Sequence, residues 1–148
     1  MKKLTAFLFI ILLLAVPVTT THAATELRVV DGADLLTPAE EAELIVQLNR
    51  ISTRLEFDVV VVTTIDSSGK NSMDYADDFY DCNGYGYGDD YDGALLLINM
   101  YTMEWWISTS GYGIEALTDY DIEAISEEFL PYLSTGQYYE AFSIYAQM

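Results

Sequence analysis

Two short apolar segments, "FDVVVVTTI" at residues 57–65 and "ALLLINM" at residues 94–100, constrain the fold more than any other feature. Each is nearly continuous in apolar and β-branched residues and lacks the polar alternation of a strand that faces water on one side. Such segments are typical of central strands that are covered on both faces. The chain is therefore expected to build a sheet between layers of helix.

The segment before the first of these strands carries a strong helix-start signal. Thr37 is predicted to be the N-cap, Pro38 follows in the first helical position, and Glu40 completes a capping box. Apolar residues then recur at helical spacing. A helix is predicted from about Pro38 to Arg54.

Further helices are expected downstream. Ser72 is predicted to cap a short helix, and Thr118 to cap a longer one whose first turn is acidic. The longer helix should end near Leu130, because Pro131 follows it. An amphipathic segment at residues 138–146 is predicted to pack against the sheet.

The segment "EWWIST" at residues 104–109 is predicted to be a further strand, and the short connection "YTM" before it favours an antiparallel hairpin. Trp105 and Trp106 should then point to opposite faces of the sheet. The alternation of strands and helices predicts an α/β domain over residues 27–146. We expect a three-layer α/β/α sandwich, with a mixed sheet of about four strands and helices on both faces.

The first 23 residues have the features of a signal peptide. Lys2 and Lys3 precede an apolar segment at residues 4–16, and small residues at Thr21 and Ala23 suit cleavage after Ala23. The alternative is an uncleaved N-terminal anchor, which would be the membrane attachment of the chain, since no second hydrophobic segment follows. The domain is expected to be exported, to the cell envelope or the extracellular space.

The charge balance narrows the class of partner. Without Lys2 and Lys3, four of the six basic residues face all 24 acidic ones, a formal charge of −20. Such a field repels nucleic acid and attracts cations or basic partners. We therefore expect cations, and a protein of the cell envelope, as partners, and no nucleic acid.

The sequence has one histidine and one cysteine, which limits the kinds of catalytic and metal site that the domain can form. His22 lies in the signal segment, so histidine-based triads and the usual zinc sites are excluded from the mature domain. Cys82 is the one cysteine and has no basic neighbour that would favour a thiolate. No catalytic residue is assigned.

The segment "DCNGYGYGDDYDG" at residues 81–93 stands directly before a buried strand and could be either a solvated turn or a cation-binding loop. Acidic residues flank other element ends as well, and loops that converge at one edge of a sheet can form a ligand crevice. Calcium would take carboxylate and carbonyl oxygens there. The candidate metal ligands are Asp31, Asp34, Asp89, Asp92 and Glu115.

Each candidate ligand also has a structural interpretation. Asp31 and Asp34 could organise the entry to the first helix, and Glu115 could be an ordinary surface acid. An EF-hand is excluded, because a loop that starts at Asp81 has Tyr85 at its fifth position and Asp92 in place of the final glutamate.

Five segments, in this order, resemble one known family: "VVDGADLLTPAEEAELIVQLNRI", "FDVVVVTTID", "YDGALLLIN", "WWISTSGYGIEALTD" and "FLPYLSTGQYYEAF". Together they look like the TPM domain, and the resemblance covers residues 29–142. It implies a three-layer α/β/α fold and an extracytoplasmic or lumenal location. It also implies calcium binding, as in some members, or the acid phosphatase activity that is associated with plant thylakoid-lumen members.

The chain departs from the family pattern in two respects. The downstream transmembrane helix and glycine-rich tail of many members do not occur in these 148 residues, and Tyr91 stands where asparagine is common. Two functions follow as hypotheses. The first is a calcium-binding interaction module of the envelope. The alternative is a metal-assisted phosphatase, which is disfavoured because no lysine or arginine follows Lys70.

Overall fold

The structure is a computed structural model and describes residues 27–147. The predicted signal peptide, residues 1–23, lies outside the described residues. The elements are the strands β1 (Val29–Asp31), β2 (Asp58–Thr64), β3 (Gly93–Asn99) and β4 (Glu104–Ser110), and the helices α1 (Pro38–Leu55), α2 (Ser72–Asn83), α3 (Gly113–Ala116), α4 (Asp119–Ser134) and α5 (Tyr138–Tyr145). Within residues 27–147, no helix is both long enough and apolar enough to cross a membrane.

The four strands form one mixed sheet in the order β1-β2-β3-β4. The first three strands are parallel, with Val61 of β2 opposite Val29 of β1 and Leu96 of β3. β4 returns antiparallel to β3, with Ser110 opposite Gly93. The predicted antiparallel hairpin is confirmed, and so is the burial of both central strands, because every residue of β2 and β3 is buried.

Helices cover both faces of the sheet, which confirms the α/β sandwich. Alternate side chains of β2 and β3, such as Val61 and Leu96, pack against Leu48 of α1 and Phe129 of α4, together with α5. The intervening side chains, among them Val60 and Leu95, pack on the other face against α2, and the buried residues that α2 contributes there are Ala76 and Tyr80. The helices α1, α4 and α5 therefore cover one face, and α2 covers the other.

The two parallel crossovers have opposite hands. The strand order advances in one direction from β1 to β2 to β3, while α1 and α2 lie on opposite faces of the sheet. Two successive crossovers that share a hand would place both helices on the same face. One of the two therefore has the left-handed form, which is rare because strand twist and helix hand favour the right-handed connection.

The boundaries of α2 differ from the prediction at both ends. Asn71, rather than Ser72, is the N-cap, and its side chain accepts a hydrogen bond from the backbone N–H of Asp74. Both residues suit an N-cap, so the sequence alone could not choose between them. At the other end, Cys82 and its neighbours continue the helix to Asn83, and Gly84 ends it at φ 72°. The segment before β3 is thus shorter than the sequence implied.

The predicted end of the fourth helix was wrong, because α4 passes through Pro131 and continues to Ser134. Proline loses one backbone hydrogen bond and crowds the preceding turn. Fully buried Phe129 packs against the core beside this turn. The carbonyl of Pro131 accepts hydrogen bonds from the hydroxyl groups of Ser134 and Thr135, at 2.8 Å and 3.0 Å. Tertiary packing and these bonds hold the last turn despite the proline.

Candidate functional site

The loop before β3 is closed by its own backbone. Tyr87 and Asp92 exchange both hydrogen bonds, with N···O distances of 2.9 Å and 3.0 Å. Four residues, Gly88 to Tyr91, form the tip, and Tyr91 takes a left-handed backbone with φ 57°. Asp89 and Asp90 lie exposed on this tip. The acidic loop is therefore an ordered turn that presents two carboxylates to solvent.

A second loop, which follows β4, packs directly against this one. Asp92 Oδ1 accepts a hydrogen bond from the backbone N–H of Tyr112 at 2.6 Å. Gly111, at φ 56°, comes so close that a Cβ there would lie 2.2 Å from Asp92 Oδ1 and 2.5 Å from the carbonyl oxygen of Asp90. A side chain at this position would push the loops apart. We call residues 87–92 and 111–115 the acidic loop pair.

Three of the five predicted ligands lie on the acidic loop pair. Asp89 and Asp92 lie on the first loop, and Glu115 lies exposed on the four-residue helix α3 of the second. The two loops are adjacent because β3 and β4 are paired neighbours, and the Asp92–Tyr112 hydrogen bond joins them. The pair lies at the amino ends of the three parallel strands. Open α/β sheets more often bind ligands at the carboxyl ends.

The other two predicted ligands lie at the opposite edge of the sheet. Asp31 ends β1, and Asp34 follows it in the turn toward α1 with φ 53°. The carboxylate of Asp31 accepts hydrogen bonds from the backbone N–H of Leu36, at 2.8 Å, and from the hydroxyl of Thr63. Asp31 therefore organises the entry to α1, and the structure does not place these two residues with the acidic loop pair.

A buried carboxylate at the first residue of β2 was missed by the sequence analysis. Asp58 is 1% exposed, and its Oδ1 lies 2.5 Å from Arg28 Nε. Its other oxygen accepts a hydrogen bond from the backbone N–H of Gly86 at 2.9 Å. A buried carboxylate needs such partners. A charged residue at the start of an otherwise apolar strand was the available signal. Asp58 ties β2 to the segment that leads into the acidic loop.

A second polar cluster, also missed, joins α2 to the β3–β4 hairpin at the opposite edge. The Ser72 hydroxyl donates to Glu104 Oε2 at 2.7 Å and accepts a hydrogen bond from Asn99 Nδ2 at 3.2 Å. The Thr102 hydroxyl donates to the same glutamate oxygen at 3.0 Å. Every member of this network has a hydrogen-bond partner within it. These hydrogen bonds give the cluster a structural role, which is to hold α2 against the β3–β4 hairpin.

Three of the shifted pKa values among the described residues belong to helix caps and to the core. Hydrogen bonds from Thr118 lower the pKa of Asp121, and the same arrangement with Thr37 lowers the pKa of Glu40. Burial raises the pKa of Tyr145 well above its ordinary value. Within residues 27–147, no group of three or more acidic, cysteine or histidine side chains is arranged to hold a metal ion.

These features define a three-layer α/β domain whose mixed sheet carries an acidic loop pair at the amino ends of its parallel strands. Residues 29–148 match the profile of the TPM domain family. The chain belongs to the TPM domain family.

A relative supports this membership. The UPF0603 protein YdjH of Bacillus subtilis (strain 168) is 31% identical over 127 residues, which cover 84% of this chain and 48% of the relative. The chain thus spans about half the length of this relative.

Two solved structures have a similar fold. One is the N-terminal domain of a protein from P. gingivalis, with a TM-score of 0.71 and 25% identity, covering 84% of this chain and 80% of that one. The other is the N-terminal domain of the cg2496 protein from Corynebacterium glutamicum, with a TM-score of 0.62 and 13% identity, covering 80% of this chain and 74% of that one.

Proposed function

We propose that the domain is an extracytoplasmic binding module, which takes up calcium on its acidic surface and holds a protein partner of the cell envelope. The observation that favours a binding module over an enzyme is the placement of the basic side chains in residues 27–147. Arg28 pairs with buried Asp58, Lys70 pairs with Asp78, and Arg50 and Arg54 lie exposed on α1. None of these four residues adjoins the acidic loop pair through a hydrogen bond or an ion pair in the described chain.

The same placement supports binding over the alternative phosphatase function. Phosphoryl transfer depends on cationic groups that neutralise the charge of the transferred phosphoryl group. Four cavities formed by residues 27–147, of about 310, 600, 200 and 250 Å³, are lined without lysine, arginine or histidine. A cavity whose lining has a carboxylate and no cationic group favours a cationic ligand over a phosphate ester.

The acidic loop pair is the proposed calcium site. The exposed carboxylates of Asp89 and Asp90 share the tip of the first loop, and the Asp90 carbonyl faces the second loop at Gly111. Calcium accepts carboxylate, carbonyl and water oxygens in a flexible geometry. With few side-chain ligands, we expect weak binding, of the order of 10⁻⁴–10⁻³ M, as in other extracellular modules. The formal charge of −18 for the whole chain would be partly relieved by the bound cation.

A calcium titration followed by amide NMR tests this site. We expect shift changes confined to residues 87–92 and 111–115, and their loss in the double variant Asp89→Asn/Asp90→Asn. The control is Asp34→Asn at the opposite edge of the sheet, where asparagine suits the positive φ of 53° and calcium binding should persist. The absence of any shift at millimolar calcium would sink the calcium proposal. Loss of binding in the Asp34 variant alone would place the site at the other edge.

A further inference from the structure

The outer edge of β4 has no strand partner within residues 27–147. The strand pairs one-to-one with β3 over all seven of its residues and has no bulge. No backbone hydrogen bond from elsewhere in residues 27–147 reaches that edge. Natural sheets usually protect a long edge with lysine, proline, a bulge or a covering element. The sequence "EWWISTS" has neither lysine nor proline. The other edge strand, β1, is short, with three residues.

A groove runs beside this open edge, between β4 and the first half of α4. It has a volume of about 600 Å³, which is within the range of binding sites. Its lining residues are Trp105, Trp106 and Ile107 from the strand, and Asp119, Ile122, Glu123 and Ser126 from the helix. Trp105 packs edge-on against Phe129, with ring centroids 5.5 Å apart. This contact fixes the position of Trp105 in the lining of the groove. Trp106 remains 38% exposed.

The charge of the groove indicates the class of occupant. Asp119 and Glu123 stand on its helical wall, four residues apart, and the sequence has no lysine or arginine after Lys70. Carboxylates at this spacing lie on one face of a helix, with Cβ atoms about 6 Å apart. A second copy of the chain would bring the same carboxylates toward each other, and like charges across an interface are unfavourable. A basic partner is complementary.

We propose that an extended, lysine- or arginine-containing segment of a partner protein adds to β4 as a fifth strand, with basic side chains at alternate positions against Asp119 and Glu123. In strand addition, main-chain hydrogen bonds supply affinity and pockets for alternate side chains supply specificity. Side chains two residues apart on a strand lie about 6.6 Å apart, which matches the spacing of the two carboxylates. The intervening apolar side chains of the segment then point to the other face of the sheet, the face on which Trp106 lies opposite Leu97.

This partner class deepens the binding-module function proposed above, but it does not depend on calcium. The two sites lie on different segments, residues 87–92 and 111–115 for calcium, and Glu104–Ser110 with residues 119–126 for the peptide. Amide NMR monitors both sites in one spectrum, so the calcium proposal and the peptide proposal can be confirmed or contradicted independently.

The test is a titration of the isotopically labelled protein with a short, end-capped peptide of alternating valine and lysine. We expect amide shifts in β4 and in the first half of α4, and slower amide exchange along the outer edge of β4. The double variant Asp119→Asn/Glu123→Gln should weaken binding about tenfold, since it removes two ion pairs at a partly desolvated rim. The matched control Asp77→Asn/Asp81→Asn makes the same charge change at the same spacing on α2 and should weaken binding less than about twofold.

A second peptide separates strand addition from attraction by charge alone. N-methylation at alternate residues, tried in both registers, removes the main-chain donors while the charge stays the same, and one register should abolish binding. Equal binding by both methylated peptides would overturn the proposal. So would shifts spread evenly over the acidic surface, a dimer that pairs through β4, or no shift at millimolar peptide.

Discussion

Tyr91 occupies a backbone conformation that residues with a bulky side chain rarely adopt. Its φ of 57° lies in the left-handed region, and its side chain is 59% exposed. Asparagine tolerates this region better than other residues with a Cβ, because its short amide bonds locally to the backbone. The resemblance to the TPM domain placed asparagine at this position. The geometry gives that preference a backbone reason, independent of any ligand.

We predict that Tyr91→Asn stabilises the protein by about 0.5–1 kcal/mol, because it relieves left-handed strain without loss of core packing. The measurement is the urea unfolding midpoint. Tyr120→Asn is the control, since Tyr120 is 77% exposed but lies in the regular helix α4. It should give no gain. A loss of stability in the Tyr91 variant equal to that of the control would contradict the strain argument.

Among the elements, α4 shows how its first turn depends on a capping box. The Thr118 hydroxyl donates to Asp121 Oδ2 at 2.5 Å, and the backbone N–H of Thr118 donates to the same oxygen at 3.0 Å. These bonds lower the pKa of Asp121. A lowered pKa means that the cap stabilises the helix above the ordinary pKa of aspartate. That stability is lost as the pH falls through the lowered value.

We predict that Thr118→Ala raises the pKa of Asp121 toward its ordinary value and costs about 1 kcal/mol of stability at neutral pH. The cost should shrink as the pH falls below the lowered pKa. An NMR titration of the carboxyl groups, with unfolding curves at neutral and acidic pH, measures both effects. Thr135→Ala, at the other end of the helix, should leave the pKa of Asp121 unchanged. An equal cost at both pH values would argue against the linkage.

The local elements were predictable where one signal dominates. Thr37 with Pro38 and Glu40 marks the start of α1, and the apolar runs mark β2 and β3. The end of α4 was not predictable, because Pro131 locally favours the end of a helix, whereas the packing of Phe129 in the core favours its continuation. Propensity is a weak guide where tertiary contacts compete with it.

The site was less predictable than the elements. The approach of the two acidic loops depends on β3 and β4 being neighbours, which the hairpin signal gave correctly. The separation of Asp31 from Asp92 depends on the parallel pairing of β1, β2 and β3, because parallel strands place these residues at opposite edges. No residue near either aspartate encodes that long-range pairing.

At the scale of the whole molecule, the acidic surface opposes the compact state. The chain has 24 acidic and six basic residues, and self-repulsion among like charges favours expansion. Salt shortens the range of this repulsion, from about 30 Å at 0.01 M to about 8 Å at 0.15 M. The stability of the protein should therefore rise with ionic strength.

We predict that an increase in sodium chloride over this range raises the melting temperature by roughly 3 °C, which corresponds to about 1 kcal/mol. Differential scanning calorimetry measures the shift. Asp77→Asn/Asp81→Asn, which removes two exposed charges from α2, should melt higher at low salt and gain less from added salt. A melting temperature that falls with salt would show that attractive ion pairs outweigh the repulsion.

Because the two crossovers have opposite hands, the two faces of the sheet are covered by different numbers of helices. Because α1 and α2 lie on different faces, α2 is the one helix of residues 27–147 that packs on Val60 and Leu95, with Tyr85 beside it, while α1, α4 and α5 cover the other face. A partial opening that releases α2 exposes one whole face of the sheet in a single event, whereas the release of α5 leaves two helices in place. The amide protons of α2 should therefore report the lowest-energy cooperative opening, in which this face of the sheet is wetted before the other.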